Sequence, residues 1–212
     1  MVDGSNKNNP WIDWAEQIRT IAQNGLTFAR CEFDLERYHR LQTIAHQMTA
    51  LLSGAPLSNV EGFFLPENGY ATPKIDLRAG VFKDGKILLV KERADGRWAL
   101  PGGWGDVGEP PAFGIEREVQ EESGYTARAM KLVALRDTRQ PPYHMVSPHH
   151  IYKLLFLCEL TGGAPQENIE ISDIGFFAPD ALPELSLSRT MAEDIHLLLA
   201  HKQQPELATY FD

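Results

Sequence analysis

The stretch that most constrains the chain is residues 101–125, which read PGGWGDVGEPPAFGIEREVQEESGY. It joins a glycine-rich turn to a helix-forming run, in which Glu118, Glu121 and Glu122 stand at positions i, i+3 and i+4. A helix places these three carboxylates on one face, one turn apart. Hard divalent cations would relieve their mutual repulsion, because Mg2+ and Mn2+ prefer oxygen ligands. Taken alone, the pattern fits a metal site and a solvated acidic helix face equally well.

The remainder of the segment indicates a helix that packs on a sheet. Pro110 and Pro111 are typical of a first helical turn, and Gly124 is typical of a helix end. The face opposite the glutamates is apolar and is expected to lie against strands. Its members are Ala112, Ile115 and Val119, with Phe113 beside them.

Supporting residues flank the glutamates. Arg117 can pair with Glu121 or reach back to Glu109, and either pairing would orient a carboxylate. Gly102 and Gly103 let the backbone come close to a metal or phosphate, so that an exposed carbonyl there is a candidate additional ligand. Asp106 is expected to help shape the loop between turn and helix.

These parts predict a reaction. Metal ions held by the glutamates can clamp a diphosphate and lower the pKa of a bound water. One carboxylate can take the proton from that water. The expected result is attack of water on phosphorus, which splits the P–O–P bridge.

The whole segment resembles the signature of the Nudix family. The signature positions are Gly103, Glu109, Arg117, Glu118, Val119, Glu121, Glu122, Gly124 and Tyr125. Seven fixed identities match with intact spacing, which at roughly 1 in 15 per position arises by chance about once in 10^8 starts. The resemblance therefore decides between a metal site and a plain acidic face, in favour of the metal site.

The resemblance implies specific roles and a fold. Glu118, Glu121 and Glu122 would bind Mg2+ or Mn2+, with Glu118 or Glu122 also assisting as base. A carbonyl of Gly102 or Gly103 would complete a metal shell, and Arg117 and Glu109 would form the supporting ion pair. The implied fold is an α/β/α sandwich with a mixed sheet.

More of the chain resembles one bacterial Nudix subgroup, whose members carry a small N-terminal helical domain. This subgroup hydrolyses nucleoside diphosphates linked to a group X, with CDP-choline and ADP-ribose pyrophosphatase activities, and tends to form homodimers. The matching blocks are FARCEFDLERYHRLQTIAHQM, KILLVKERADGRWALPGGWGDVGE, KLVALRD, HIYKLLFLCEL and DIGFFAPDALPELSLSRT.

Two helices are predicted at the start of the chain. The first begins at Asn9-Pro10 and ends at Asn24-Gly25, and the second begins with Asp34 as its cap and ends at Gly54. Residues 54–73 are rich in Gly, Pro, Ser and Asn and read as a linker. We expect an N-terminal helical domain over 1–66 that serves dimerisation or substrate support, and a hydrolase domain over 67–212.

The second domain alternates strands with helices. Strands are predicted at 75–82, 86–91, 126–137, 150–160 and 169–177, and a last helix at 189–202. This order indicates a mixed α/β or α+β sandwich, not a regular βαβ winding.

The net charge of -9 disfavours partners with phosphate backbones. The chain lacks an apolar signal core and any run of ~18 apolar residues, so a cytoplasmic protein without a membrane partner is expected. Cys158 lies in the apolar run LLFLC and is expected to be buried; with Cys31 it makes no disulfide framework or zinc site.

Several residues outside the signature are weaker candidates. The loop 138–150 is a candidate recognition loop, with Tyr143 as a stacking residue and histidines for phosphate contact or base catalysis. Arg78 and Arg93 are candidate phosphate contacts or plain surface residues. Trp98 and Trp104 are expected to be packing residues. A base outside the signature is sought among Glu159, Glu170 and Asp173.

Two other functions stay open. A nucleoside-triphosphate sanitising pyrophosphatase would use the same glutamates, but would not need the additional helical domain. A non-catalytic nucleotide sensor would often lack signature glutamates, and all of them are present here. The sequence favours hydrolysis of a nucleoside diphosphate linked to X, which gives a nucleoside monophosphate and phospho-X.

Overall fold

The computed structural model describes residues 10–64, 68–143 and 149–212. The chain divides into two compact units, one up to Thr72 and the other from Pro73. The boundary predicted between residues 66 and 67 lies outside the described residues. No helix in the described ranges has the length and hydropathy needed to cross a membrane.

The N-terminal unit is built from three helices: α1 (Pro10–Phe28), α2 (Glu32–Ser53) and α3 (Leu57–Phe64). Small residues allow α1 and α2 to pack closely. The buried apolar side chains of this unit are Ala15, Ala22, Ala45, Val60 and Phe64.

The first helix does not end at Gly25, as the sequence predicted, but continues to Phe28. The ring of Tyr38 on α2 lies so close to Gly25 that a Cβ there would be 2.4 Å from it. Gly25 therefore serves close packing between two helices. Its role as a helix end was the wrong interpretation.

The second helix begins earlier than predicted, with Cys31 at its N-cap position. Asp34 lies in the first turn and pairs with Arg37 at 2.7 Å. The predicted end at Gly54 is confirmed, since this residue adopts a left-handed conformation with φ 69°.

The predicted linker over 54–73 is wrong where α3 forms. Val60 and Phe64 stand at i and i+4 and are both buried, which anchors this short helix. The ring of Phe64 stacks on His46 of α2 at 5.7 Å. Two apolar residues at helical spacing outweigh a composition that resembles a linker.

The second unit contains a seven-stranded mixed sheet. Its strands are β1 (Lys74–Lys83), β2 (Lys86–Glu92), β3 (Trp98–Ala99), β4 (Tyr125–Asp137), β5 (Ile151–Gly163), β6 (Ile171–Phe177) and β7 (Tyr210–Phe211). The order is β3-β2-β1-β5-β4-β7, with β6 paired to β2. The β1–β5 and β4–β7 pairs are parallel, and the other pairs are antiparallel.

Helices cover both faces of this sheet. On one face, Ile115 and Val119 of α4 (Pro111–Ser123) pack against Leu77 of β1. On the other, Leu198 of α5 (Ala192–Gln203) packs against Phe82. The predicted α/β/α sandwich is therefore confirmed. The predicted apolar face of α4 is shorter than expected, because its first-turn residues 112 and 113 are exposed.

Strand β1 is central, and both of its faces are covered. Leu77, Ala79 and Val81 point towards α4. Asp76 and Arg78 alternate with them, so the face towards α5 receives two charged residues, and both are buried. This placement brings charge beneath the glycine-rich turn at residues 101–103, which bonds to β1.

Candidate active site

The glycine-rich turn lies along β1, where β2 no longer pairs with that strand. Leu77 N donates to Gly103 O at 2.8 Å, and Ala79 N donates to Pro101 O at 2.9 Å. Gly102 adopts φ 145°, and a Cβ on it would be 2.0 Å from the carbonyl oxygen of Leu77. Only glycine fits this position, because the approach is to backbone and the φ is unfavourable for L side chains. The turn is thus held against the strand by its own backbone.

Helix α4 begins after Pro110 and ends at Gly124, as predicted. Glu122 in its last turn is buried, and its Oε2 accepts a hydrogen bond from Gly102 N at 2.8 Å. Burial raises the pKa of the Glu122 carboxyl to about 8, although the Arg78 charge and the Gly102 bond oppose this shift. The helix and the turn meet at this carboxylate.

Glu118 approaches the same turn one helical turn earlier. A Cβ on Gly103 would lie 3.0 Å from Glu118 Oε2, so the absence of a side chain makes room for this carboxylate. Partial burial raises the pKa of Glu118, and the neighbouring Arg117 charge opposes the rise. Glu121, in contrast, is 59% exposed.

Arg117 is the hub of the acidic groups. Its guanidinium donates to both oxygens of Glu109 at 3.0 and 2.9 Å. It also contacts Glu118 at 3.0 Å, Glu121 at 2.8 Å and Asp106 at 3.2 Å. The two pairings treated as alternatives in the sequence occur together. The hydrogen bonds from Arg117 lower the pKa of Glu109, which keeps that carboxylate charged.

A cluster of buried charged residues lies beneath the turn, and the sequence analysis did not predict it. The Arg78 guanidinium binds the carboxylate of Asp76 at 2.9 Å, and the Lys153 ammonium binds the other oxygen of the same carboxylate. Lys153 is only 2% exposed. A signal was present: Asp76, Arg78 and Lys153 all stand inside apolar strands, where an isolated charge would be costly and a partner is required.

A second ion pair, with one buried partner, lies nearby. Glu92 at the end of β2 is buried and contacts Arg189 Nε at 3.2 Å. Its charge helps to raise the pKa of Glu122, which places Glu92 close to the glutamates of α4. The base candidates named from the sequence are instead on the surface: Glu159, which pairs with Arg128, together with Glu170 and Asp173.

The two arginine candidates occupy different environments. Arg78 is buried on Asp76, so the prediction that it contacts phosphate or lies on the surface is wrong. Arg93 is a surface residue that pairs with Glu167 at 3.4 Å. Strand position explains this difference, since Arg78 lies in the middle of a covered strand.

The candidate loop also departs from prediction. Tyr143 is buried, and its hydroxyl donates to Asp194 of α5, so it is not available for stacking on a base. His150 pairs with Asp137 at 2.9 Å. His144 lies outside the described residues. Trp98 packs on Phe177 as expected.

Trp104 contradicts its predicted packing role. It follows Gly103 in the turn and is 53% exposed. The indole is therefore half in solvent next to the glycine-rich turn and does not pack into the core.

The acidic side chains around the turn offer oxygen donors to a divalent cation. As the side chains stand, residues 10–64, 68–143 and 149–212 contain no group of three acidic, histidine or cysteine side chains gathered to hold an ion. The reason is visible at Arg117, which draws Glu118 and Glu121 towards itself. The chemistry nevertheless fits, because the oxygens converging on the turn are carboxylate and carbonyl oxygens, which Mg2+ and Mn2+ prefer.

Comparison with known proteins agrees with this geometry. Residues 9–64 match a family described as a UDP-X-like, N-terminal oligomerisation domain. Residues 77–198, more than half of the chain, match the NUDIX domain. A protein of Bacillus subtilis (strain 168), provisionally named an ADP-ribose pyrophosphatase, is 37% identical over 202 residues, which are 95% of this chain and 97% of that protein.

Two crystal structures are also similar. An ADP-ribose pyrophosphatase of Streptococcus suis 89-1591 has a TM-score of 0.60 and 41% identity, covering 66% of this chain and all of that one. A UDP-X diphosphatase has a TM-score of 0.62 and 36% identity, covering 97% of this chain and all of that one.

The mixed sandwich, with the Glu122 and Glu118 carboxylates at a glycine-rich turn, is consistent with a phosphoanhydride hydrolase. The chain belongs to the Nudix family and is a pyrophosphohydrolase. The family assignment made from the signature is confirmed.

Proposed function

We propose that this chain hydrolyses the pyrophosphate bond of a nucleoside diphosphate linked to a group X, with Mg2+ or Mn2+, to give a nucleoside monophosphate and phospho-X. The observation that carries the proposal is the meeting of Glu118 and Glu122 with the Gly102–Gly103 backbone. Carboxylates that converge on a glycine-rich turn, one of them buried, offer oxygen ligands to cations, which in turn bind a diphosphate.

Glu118, Glu121 and Glu122 are the residues proposed to hold the ions, with a carbonyl of Gly102 or Gly103. The Gly103 carbonyl already accepts a hydrogen bond from Leu77 N. When bound, divalent ions neutralise the diphosphate, stabilise the developing negative charge and lower the pKa of water.

The protein's own groups prepare this chemistry. Arg117 and Glu109 form a two-bond ion pair that fixes the start of α4 relative to its middle. Arg117 would have to release Glu118 or Glu121 when these carboxylates turn towards an ion. Glu118 or Glu122 is proposed to receive the proton of the attacking water, as a general base that is close to the reacting phosphorus.

ADP-ribose is the first substrate to test, because two similar proteins carry that activity in their names. UDP-linked compounds are the second, because the similar protein that covers almost the whole chain is named a UDP-X diphosphatase. CDP-choline remains in the proposal through the sequence resemblance.

The test is a panel of ADP-ribose, UDP-glucose, CDP-choline, ATP and 8-oxo-dGTP, incubated with Mg2+ or Mn2+ and resolved by chromatography. We expect a nucleoside monophosphate from at least one of the first three and little turnover of the triphosphates. Release of pyrophosphate from a triphosphate, with the diphosphates intact, would establish the sanitising function instead. No turnover of any compound would refute the enzyme proposal for these substrates.

We also propose that the helical domain over 1–66 dimerises the hydrolase domain over 67–212. The helices of the N-terminal unit expose many large apolar side chains, including Trp11 at 55% and Trp14 at 47%. Others are Ile21, Phe28, Phe33 and Leu51. Apolar surface of this extent on a small helical unit is typical of an interface.

We also propose a cytoplasmic location, because Cys31 and Cys158 are free thiols.

Light scattering is expected to give twice the chain mass of 23.8 kDa. The double substitution Trp11→Ser and Trp14→Ser should shift the protein towards monomer, because a buried aromatic pair contributes strongly to an interface. Trp104→Ser removes an exposed tryptophan from the other unit and should leave the mass unchanged. A wild-type protein that is monomeric at micromolar concentration would refute the dimer.

A further inference from the structure

Leu100 anchors the turn that carries Gly102 and Gly103. Its amide donates to the hydroxyl of Thr190 at 2.8 Å, and its carbonyl accepts from Arg78 Nη1 at 3.1 Å. Two residues later, Gly102 N donates to Glu122. The direction of the Gly102 amide therefore depends on how firmly Leu100 is held.

Arg78 is itself fixed in one geometry. Its Nε and Nη2 form a two-pronged contact with Asp76, with distances of 3.1 and 2.9 Å to Oδ1. The third prong, Nη1, is the one that holds the Leu100 carbonyl. A planar guanidinium with both ends bound cannot rotate without breaking buried hydrogen bonds.

Lys153 completes the arrangement from the neighbouring strand. It binds Asp76 and donates to the carbonyl of Arg189 at 2.8 Å. Asp76 and Lys153 are cross-strand partners in the parallel β1–β5 ladder. The carboxylate that orients Arg78 is thereby pinned by the sheet.

We propose that Arg78, held by Asp76 and Lys153, is a positioning residue of the hydrolytic site that fixes Leu100 and so keeps the Gly102 amide directed at Glu122. This inference rests on the proposed role of Glu122. Arg78 is buried, and its described hydrogen bonds go to Asp76 and to the buried Leu100. Its effect on substrate is therefore indirect. Its loss should therefore lower kcat and metal affinity and leave KM nearly unchanged.

The decisive variants are Arg78→Lys and Arg78→Met. Lysine keeps the charge but loses the two-ended geometry, so we expect it to behave like methionine and not like wild type. In both, hydrogen exchange of the Gly102 amide, followed by NMR in metal-free protein, should accelerate about tenfold or more. Calorimetric titration with Mn2+ alone should show about tenfold weaker binding, the effect of one disturbed charge-assisted hydrogen bond. If Arg78→Met does not fold, Arg78→Lys carries the test.

Arg136→Lys and Arg136→Met are the matched controls. Arg136 is an equally buried arginine on the same sheet, and its described contacts are Asp194, at 2.9 Å, and the ring of Tyr210. These variants should lose stability but keep wild-type Mn2+ affinity and Gly102 protection when folded.

Three outcomes would overturn the inference: an Arg78→Lys protein within twofold of wild type in both measurements, equal effects at Arg78 and Arg136, or a raised KM with unchanged kcat. Failure of the proposed function is distinguishable, since it would appear as an inactive wild type, whereas Gly102 exchange needs no substrate.

Discussion

Glu122→Gln is expected to lower kcat about a thousandfold, the range that a catalytic base or metal-ligating carboxylate commands. The glutamine carbonyl can still accept the Gly102 hydrogen bond, which is 2.8 Å in the wild type, so the turn keeps its shape. What is lost is the negative charge at the point where α4 meets the turn. The measurement is steady-state turnover of the best substrate of the panel. Activity above about a tenth of wild type would show that Glu122 is not at the reacting centre.

Glu159→Gln is the matched control outside the site. Glu159 is exposed and pairs with Arg128 on the surface, so we expect turnover within about twofold of wild type.

The pH dependence of stability in metal-free protein is a second test of Glu122. The folded-state pKa of Glu122, about 8, lies above its usual 4.5. Wild type is therefore expected to lose stability as pH rises from 4.5 through 8, whereas Glu122→Gln should not. A glutamine variant that melts far below wild type at pH 8 would indicate misfolding.

Local spacing explains what the sequence predicted well. The geometry of α4 depends on residues within one helical turn of each other. Glu118, Glu121 and Arg117 could therefore be placed on one helix from the amino-acid sequence alone. The pairing of Arg117 with Glu109 also needed only the helix start. These contacts span at most eight residues.

The buried charge cluster could not be placed in the same way. Asp76 and Lys153 are 77 residues apart and meet only because β1 and β5 pair in parallel with one register. A register shifted by one residue would turn Lys153 to the other face of the sheet. The sequence showed charges within apolar strands but not their partners, and for this reason Arg78 was assigned to phosphate or surface.

Glycines show the same contrast between local and long-range contacts. Gly124 ends α4 as predicted, since a helix end is a local event. Gly25 was read as a similar end, but it faces Tyr38 on another helix. An aromatic ring that packs closely on a neighbouring helix requires glycine there as strongly as a turn does. The sequence around Gly25 does not show which ring packs on it.

Gly102→Ala is expected to have the largest effect on folding. The new Cβ would lie 2.0 Å from the Leu77 carbonyl oxygen and 3.0 Å from the Arg78 Cα, and neither atom belongs to a flexible side chain. The φ of 145° adds strain for any L residue. We expect a loss of about 3 kcal/mol or more in the free energy of unfolding, hence a melting temperature lower by roughly 10 °C, and turnover below detection. Thermal denaturation and the substrate assay measure both.

Two glycine controls separate the causes of that loss. Gly96→Ala places alanine at φ 69° with nothing within 4 Å of its Cβ, so it measures the strain of a positive φ alone, about 1 kcal/mol. Gly103→Ala brings its Cβ to 3.0 Å from the Glu118 carboxylate, which can move, so it should spare the fold and lower kcat about tenfold. If Gly102→Ala is no worse than Gly96→Ala, the turn is not pressed against β1. We therefore expect Gly102→Ala to lose the most stability of the three variants. Gly103→Ala should lose more turnover than Gly96→Ala, because only the turn glycines lie between β1 and the glutamates of α4.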